Sequence, residues 1–295
     1  MIDLHLHTTA SDGRLSPAQL VARAAAAGIT TMSVTDHDTV AGLAEVGAEA
    51  AARAIRLVPG IEITSIADGR DVHMLGYFFD SGSAPLLTFL EGQRALRVSR
   101  TREIAARLAA LGMPVDVEGV LAAAAVRPGT SVGRPQLARA LAAAGYVTSV
   151  QEAFEKWLAN GQPAYVPRTG PSPFTVVDAI HAAGGVASMA HPAVTKRDEL
   201  IRPLADHGLD AVEVFHSDHT PEDEAHYRGL AVRLGLLISG GSDFHGEEPQ
   251  AGATAGPSPG SSPSRARRNA LGVVSLPPAA FAALEARAAQ GPRPA

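Results

Sequence analysis

Short β-branched or apolar runs recur along this chain, and several of them end in a histidine or an acid. The first is Ile2-Asp-Leu-His5-Leu-His7. Alternate residues of a strand share a face, so His5 and His7 project side by side as half of a metal site, with Asp12 in the next turn. The pattern returns in Thr35-Asp36-His37-Asp38, Gly60-Ile-Glu62, His73, Ala190-His191-Pro192 and Gly240-Gly-Ser-Asp243-Phe-His245. A fold must therefore bring many strand ends to one place. A parallel α/β barrel does so, because the carboxyl ends of its strands converge on one face.

The order of elements agrees with that demand. Ile2–His7 reads as a strand, and Ser16-Pro17 opens a helix that stops at Gly28. Strand Thr31–Thr35, helix Val40–Arg53 and strands Leu57–Thr64 and Val72–Phe79 follow, the β-α-β-α rhythm of a parallel sheet or barrel. From about Ser81 to Gly185 the rhythm changes. Pro85–Leu111 is a long helical stretch with Gly92 as a candidate break, and Asp116–Ala125, Arg134–Ala144 and Ser149–Ala159 are shorter helices. Residues 81–185 are read as a helical insertion covering the active site, returning through Gly161-Gln-Pro-Ala-Tyr-Val-Pro-Arg168. Alternation resumes with helix Phe174–Ala183, strand Gly185–Met189, helix Arg197–His207, strand Ala211–Phe215, helix Pro221–Leu234 and strand Leu236–Gly240, giving about seven strands. Residues 1–80 and 186–295 would then form one discontinuous barrel. The Gly-, Pro- and Ser-rich stretch Gln250–Ser264 reads as a mobile loop, Leu271–Ser275 as a short strand and Pro278–Ala289 as a closing helix.

Composition narrows the chemistry. The 295 residues include no cysteine, so disulfides are excluded and any metal site must use nitrogen and oxygen ligands. A net charge of −5 argues against a generally basic, nucleic-acid-coating surface but leaves room for a local basic cleft. Met1 leads straight into a strand, and no apolar run approaches the ~20 residues of a spanning helix. A cytoplasmic protein with no membrane association is expected.

Together His5, His7, His37, His73, His191 and His245 with Asp12, Glu62 and Asp243 make six imidazoles and three carboxylates. That set is too large for one tetrahedral ion and suffices for two or three if Glu62 bridges. Multinuclear sites of this kind activate water and clamp phosphoryl oxygens. His181, His207 and His226 lie on expected helices and read as structural or surface residues.

Asp3-Leu-His5-Leu-His7 with Ser11-Asp12-Gly13, Thr35-Asp36-His37, Gly60-Ile-Glu62, Ala190-His191-Pro192 and Ser242-Asp243-Phe-His245 resemble the motifs of the PHP (polymerase and histidinol phosphatase) superfamily. The resemblance implies a distorted (β/α)7 barrel with a three-ion centre. It puts His5, His7, Glu62 and Asp243 on one ion, Glu62, His73 and His191 on a second, and Asp12, His37 and His245 on a third. Asp12 stands where some members carry His. Manganese is the expected metal, with zinc or iron as alternatives.

The insertion carries Arg94, Arg97, Arg100, Arg102 and Arg107 on one helix, and Arg134 at a helix start. A solvated basic face competes here with a phosphate clamp, for which arginine is suited by its bidentate geometry. Val132-Gly-Arg134-Pro-Gln136, with Gly145-Tyr and Pro163-Ala-Tyr-Val-Pro, is similar to the insertion of the branch holding 3′,5′-nucleoside bisphosphate phosphatases and 5′-to-3′ exoribonucleases. That branch commonly has His where Gln136 stands. His216 and His219 follow the strand Ala211–Phe215, with His216 either a phosphate contact or general acid, or else a loop hydrogen-bonding residue.

The expectation is metal-dependent hydrolysis of a 3′,5′-bisphosphorylated nucleotide or short 5′-phosphorylated RNA, with no obligate protein partner. Glu62, Asp243 and His216 are the catalytic candidates, and Arg97, Arg100 and Arg134 the phosphate contacts. Two alternatives stand: a histidinol-phosphate-type phosphatase, and a metal-binding accessory module without turnover. So many arginines argue against the first, and the complete set of nine ligand positions against the second.

Overall fold

The computed structural model describes residues 1–126, 129–246 and 270–291. Seven strands follow one another in sheet order as in sequence: β1 (Ile2–Leu6), β2 (Thr31–Val34), β3 (Arg56–Ala67), β4 (Arg70–Tyr77), β5 (Val186–Met189), β6 (Ala211–His216) and β7 (Leu237–Gly241). Between β7 and β1 the ladder thins to a parallel Leu6–Phe244 bridge. There the His7 N–H donates to the Phe244 carbonyl at 3.0 Å and the Asp243 N–H to the His5 carbonyl at 2.8 Å. The sheet is thus a nearly closed barrel, drawn together at the two metal-type motifs.

The helices have ordinary local causes. In α1 (Pro17–Ala26), Ser16 caps the first turn and exchanges hydrogen bonds with Gln19, Pro17 fits the first position, and Leu20, Val21 and Ala24 face the barrel. Such a capping box stabilises the helix by about 1 kcal/mol. After α2 (Leu43–Ala51), α3 (Ala84–Ala110) runs as one helix, without the break considered at Gly92. A Cβ at Gly92 would meet nothing within 4 Å, and an exposed glycine costs about 1 kcal/mol, too little to break a helix held by tertiary packing.

The sheet departs from the all-parallel expectation at β4, which pairs antiparallel with both β3 and β5. The cause is local. Asp68 (φ 47°) and Gly69 (φ 73°) are the only two residues between the strands, and two successive positive φ angles make the tight turn whose twist matches a hairpin. Leu271–Ser275 is not a strand. Val273 is exposed, and the segment reaches the barrel through the Ile2 N–H to Ser275 Oγ and the Leu276 N–H to the Ile2 carbonyl. Gln250–Ser264 lies outside the described residues.

After β4 the chain forms α3, α4 (Val117–Ala125), α5 (Arg134–Ala143) and α6 (Val150–Ala153), the last continued by a π-helical turn, Phe154–Leu158. Ile104, Leu108, Leu137, Leu141 and Leu158 give this cap its own apolar core. Each such fully buried side chain contributes about 2 kcal/mol. Helix α7 (Pro173–Ala182) falls within the span read as insertion, yet its Val176, Val177 and Ile180 pack in the barrel's core. Then come α8 (Pro192–Thr195), α9 (Ile201–His207), α10 (Pro221–Leu234) and α11 (Pro278–Ala288). Phe281 and Leu284 of α11 join Leu4, Val58 and Tyr77 in a further core cluster. No helix among the described residues is long and apolar enough to cross a membrane.

Candidate metal centre

All nine residues singled out as ligand types gather at the carboxyl-end mouth of the barrel, around the carboxylate of Glu62. Its Oε1 lies 2.8 Å from His73 Nδ1 and 3.1 Å from His191 Nε2. Its Oε2 lies 3.4 Å from His5 Nε2, 3.3 Å from His7 Nε2 and 3.2 Å from His37 Nδ1. Asp243 Oδ1 meets the same His5 and His7 nitrogens at 3.4 and 3.2 Å. Asp12 stands between His245 Nε2 at 3.2 Å and His37 Nε2 at 3.8 Å.

Local backbone geometry makes this crowding possible. Strand β1 carries a register irregularity between Asp3 and Leu6. A Cβ at Gly241 would sit 2.3 Å from the His5 nitrogen, so only glycine lets β7 pass this close. Gly13 is constrained likewise: a Cβ there would lie 2.6 Å from the His7 carbonyl. Asp38, His191 and Asp243 adopt positive φ (53°, 26° and 55°), a costly conformation that gathers where structure serves a site. Asp36 pins the loop after β1 by accepting the Thr8 N–H at 2.8 Å and the Thr8 and Ser11 hydroxyls at 2.6 Å each.

The electrostatics are those of a buried anionic cluster. Burial opposes ionisation of Glu62, yet His37, His73 and His5 hold its carboxyl well below the usual range. Burial likewise opposes ionisation of Asp243, and His5 and His245 outweigh it. The carboxylates act back on the imidazoles. Although burial disfavours a charged ring, the carboxylates of Asp243 and Glu62 beside it push His7 up to about 10. A divalent cation answers the same field.

The donor atoms fit such a cation. His5 Nε2, both nitrogens of His7, His37 Nδ1, His216 Nε2 and Glu62 Oε2 are buried without a hydrogen-bond partner. Each unsatisfied buried polar group costs about 1–3 kcal/mol, so a fold that holds several of them in one place suits a ligand. Four groups among the described residues offer ligand atoms within 4.8 Å of one another: His5, His7, Glu62 and Asp243; His7, Asp12, His37 and His245; His37, Glu62 and His73; and His5, Glu213 and His216.

Glu213 was not singled out in the sequence. Its Oε1 takes His5 Nδ1 at 3.0 Å, turning Nε2 toward Glu62 and Asp243, and its Oε2 accepts the His191 N–H at 2.7 Å. The signal was a lone acid alternating with valines in Ala211-Val-Glu213-Val-Phe. His216 ends β6 with Nδ1 accepting the Asp218 N–H at 3.1 Å and Nε2 3.4 Å from Asp243 Oδ2, and burial pushes it down to about 4. His219 bonds through Nδ1 to the Val214 carbonyl at 2.8 Å.

The arginines of α3 divide. Arg102 and Arg107 pair with Glu118 and Glu103 on the surface. Arg97 instead pairs with Asp38 and reaches Thr64 Oγ1 at 2.8 Å, and buried Arg100 donates to the Val166 carbonyl at 2.8 Å. Arg134 and Arg168 flank Asp71, at 3.9 and 3.5 Å, two residues from His73. Burial, then Arg97, lowers Arg168 to about 9, and its Nε and Nη1 have no hydrogen-bond partner. Arg168 too was missed as a site residue, because it lies beyond the helices in the returning segment. Gln136 ties cap to barrel, donating from Nε2 to the Ser11 carbonyl at 2.6 Å.

A barrel whose mouth holds this histidine–carboxylate cluster, with cationic groups to one side, defines a metal-dependent hydrolase of the phosphoesterase type. Comparison with known proteins agrees: the PHP domain profile matches residues 3–159. The chain is 36% identical to the 5′-3′ exoribonuclease Rnm of Escherichia coli K12, across 82% of this chain and 84% of that protein. It is also 36% identical to the 3′,5′-nucleoside bisphosphate phosphatase of Chromobacterium violaceum, across 83% and 87%. In structure it matches a proposed metal-dependent phosphoesterase of Bifidobacterium adolescentis with a TM-score of 0.83 and 31% identity, covering 97% of this chain and 95% of that one. The chain belongs to the PHP domain family and is a phosphoric ester hydrolase.

Proposed function

We propose that the protein hydrolyses a phosphate ester in a nucleotide bearing both 3′ and 5′ phosphates, or in a short 5′-phosphorylated RNA, in the cytoplasm. The observation that carries this is the gathering of Arg97, Arg100, Arg134 and Arg168 beside the histidine–carboxylate cluster. Among the described residues these four guanidiniums have Asp38 and Asp71 as paired acids, an excess of two positive charges in a nearly buried place. One scissile phosphate at the metal centre leaves that excess unanswered, and a second phosphate answers it. The names of the relatives support the same substrate class.

In this reading three divalent ions, with manganese preferred over zinc or iron, are held by His5, His7, Glu62 and Asp243, by Glu62, His73 and His191, and by Asp12, His37 and His245. Bound there, they supply a reactive water and charge neutralisation at phosphorus. The chain's own residues do the rest. Glu62 and Asp243 fix the spacing of the ligand sets. His216, kept neutral by burial, contacts Asp243 and sets that carboxylate's orientation, a role that suits it better than general acid. Arg97, Arg100, Arg134 and Arg168 bind the non-scissile phosphate and orient the substrate.

The test is metal analysis of the purified protein, followed by a parallel assay of the repleted enzyme on adenosine 3′,5′-bisphosphate, short 5′-phosphorylated RNA and histidinol phosphate. Preference for the doubly phosphorylated nucleotide or RNA supports the reading. Preference for histidinol phosphate moves the protein to the amino-acid-pathway phosphatases, and no turnover on any substrate favours an accessory role.

A further inference from the structure

Three cavities at the barrel mouth share walls. The arginine pocket, about 120 Å³, is lined by Arg97, Arg100 and Arg168. Arg97 also lines a narrow inner cleft with Asp12 and His37. Ser11 and Gln136 line that cleft and, on their other side, a groove of about 560 Å³ between α4, α5 and the loop after β1. Arginine pocket, ligand cluster and groove therefore adjoin along one side of the mouth, the inner cleft being only about 10 Å³ and parted from the groove by the Gln136–Ser11 hydrogen bond, and the substrate reading above occupies only the first two.

The groove has a distinct chemistry. Its floor is apolar, built from Val120 and Ala124 of α4 and Ala140 of α5. Helix α4 is apolar in sequence but buries none of its side chains, and its Val120 and Ala124 line the groove. Two cations, Arg14 and Arg139, stand on the side nearest the ligand cluster. Arg139 Nη1 bonds the Asp12 carbonyl at 3.3 Å, and the Arg14 N–H bonds the His245 carbonyl at 2.8 Å. Arg14 and Arg139 thus bring two guanidiniums to one wall of the groove, where a phosphodiester is attracted to both. Its volume lies within the roughly 300–1,000 Å³ of small-molecule sites.

We propose that this groove holds the nucleotide that follows the scissile phosphate, its base on the Val120, Ala124 and Ala140 surface and its phosphodiester between Arg14 and Arg139. The inference rests on the function proposed above and extends it: the terminal phosphate sits in the arginine pocket, the scissile phosphate at the ligand cluster, and the remaining strand leaves along the groove. The side chains of Val120, Ala124 and Ala140 carry no hydrogen-bonding group, so this floor does not discriminate among bases. The reaction served is phosphodiester hydrolysis. Water's oxygen joins phosphorus, one P–O ester bond breaks, and the departing alkoxide takes up a proton. The strand's length makes the groove irrelevant to a mononucleotide bisphosphate.

The test compares a 5′-phosphorylated trinucleotide with adenosine 3′,5′-bisphosphate on the metal-repleted enzyme and on two groove variants that add a carboxylate, Ala140→Glu and Ala124→Glu. The wild type is expected to cleave both substrates. Each variant is expected to lower the ratio of kcat/KM for trinucleotide over bisphosphate by about tenfold, because a carboxylate on the floor opposes the strand's phosphodiester. Melting temperature checks that each variant folds, and the walls lie on different helices so that one misfolded variant leaves the other to decide. An unchanged ratio in the folded variants overturns the groove. A wild type that cleaves the bisphosphate and leaves the trinucleotide intact overturns the groove while the proposed function stands. Hydrolysis of neither overturns the function beneath it.

Discussion

Glu213 and His5 are joined at 3.0 Å between a carboxylate oxygen and Nδ1, both fully buried, and this bond decides which way the imidazole faces. With Nδ1 engaged, Nε2 is the nitrogen turned to Glu62 and Asp243. The other oxygen of Glu213 holds the His191 N–H, so one acid orients ligand candidates from β1 and from the loop after β5. Partners of this kind typically carry 10–100-fold in metal affinity. Glu213→Gln keeps the shape and removes the charge. It should weaken metal binding by about that factor, measured by metal titration, with the melting temperature of the metal-stripped protein little changed. Unaltered affinity would show that the acid is only structural.

Gly13 is held against the His7 backbone, where a Cβ would approach the carbonyl carbon and oxygen to 2.6 Å. No flexible side chain is there to yield. Gly13→Ala must therefore displace the loop that carries Asp12, at a cost of about 2 kcal/mol in denaturant unfolding. Wild-type stability in this variant would contradict the described approach of the two segments.

Arg168 is a nearly buried cation that its neighbour Arg97 repels, with two N–H groups unsatisfied. Arg134 also flanks Asp71, so removing Arg168 relieves the buried repulsion without leaving that acid unpaired. Arg168→Met should melt no lower than wild type and should raise KM for adenosine 3′,5′-bisphosphate by about tenfold, the loss of one charge-assisted hydrogen bond. A fall in melting temperature with unchanged KM would make it a structural residue.

On the opposite side of the barrel, Asp210 joins three elements. Its Oδ2 accepts the Ala187 N–H at 2.9 Å and faces His181 Nε2 at 2.7 Å, and its Oδ1 takes Arg287 Nε at 2.8 Å. Burial opposes ionisation, but His181, the Ala187 N–H and Arg287 together hold the carboxyl below its ordinary 3.8. A depressed pKa stabilises the fold above pH 3.8, and that stability is lost as pH falls through the lower folded value. Asp210→Ala should cost about 3 kcal/mol at neutral pH, with the gap to wild type closing below pH 3.8. Urea unfolding across that range measures it, and a gap independent of pH would refute the ionic role.

The sequence carried the ligand candidates because their signal is local. His5 and His7, or Asp243 and His245, sit two apart at strand ends, where alternation fixes a common face. The hairpin was legible as well, in Asp68-Gly69 between two β-rich runs, but a strong parallel rhythm on either side masked it. Other features were not local. Glu213 earns its place through His5 and His191, distant in sequence, and Arg168 through Asp71 and Arg97. Helix α7 follows the same logic, since only tertiary packing decides that it covers the barrel. The stripe on α3 shows the limit of periodicity: spacing grouped its arginines, while contacts separate Arg97 and Arg100 from the solvated Arg102 and Arg107.

The central claim is that Glu62, touched by His5, His7, His37, His73 and His191, is the shared ligand of a hydrolytic metal centre. The direct measurement is turnover of adenosine 3′,5′-bisphosphate by wild type and Glu62→Gln after identical metal repletion, with the fold checked by circular dichroism. The account predicts a folded variant with background turnover and fewer bound ions. A folded Glu62→Gln protein that keeps wild-type turnover would contradict it.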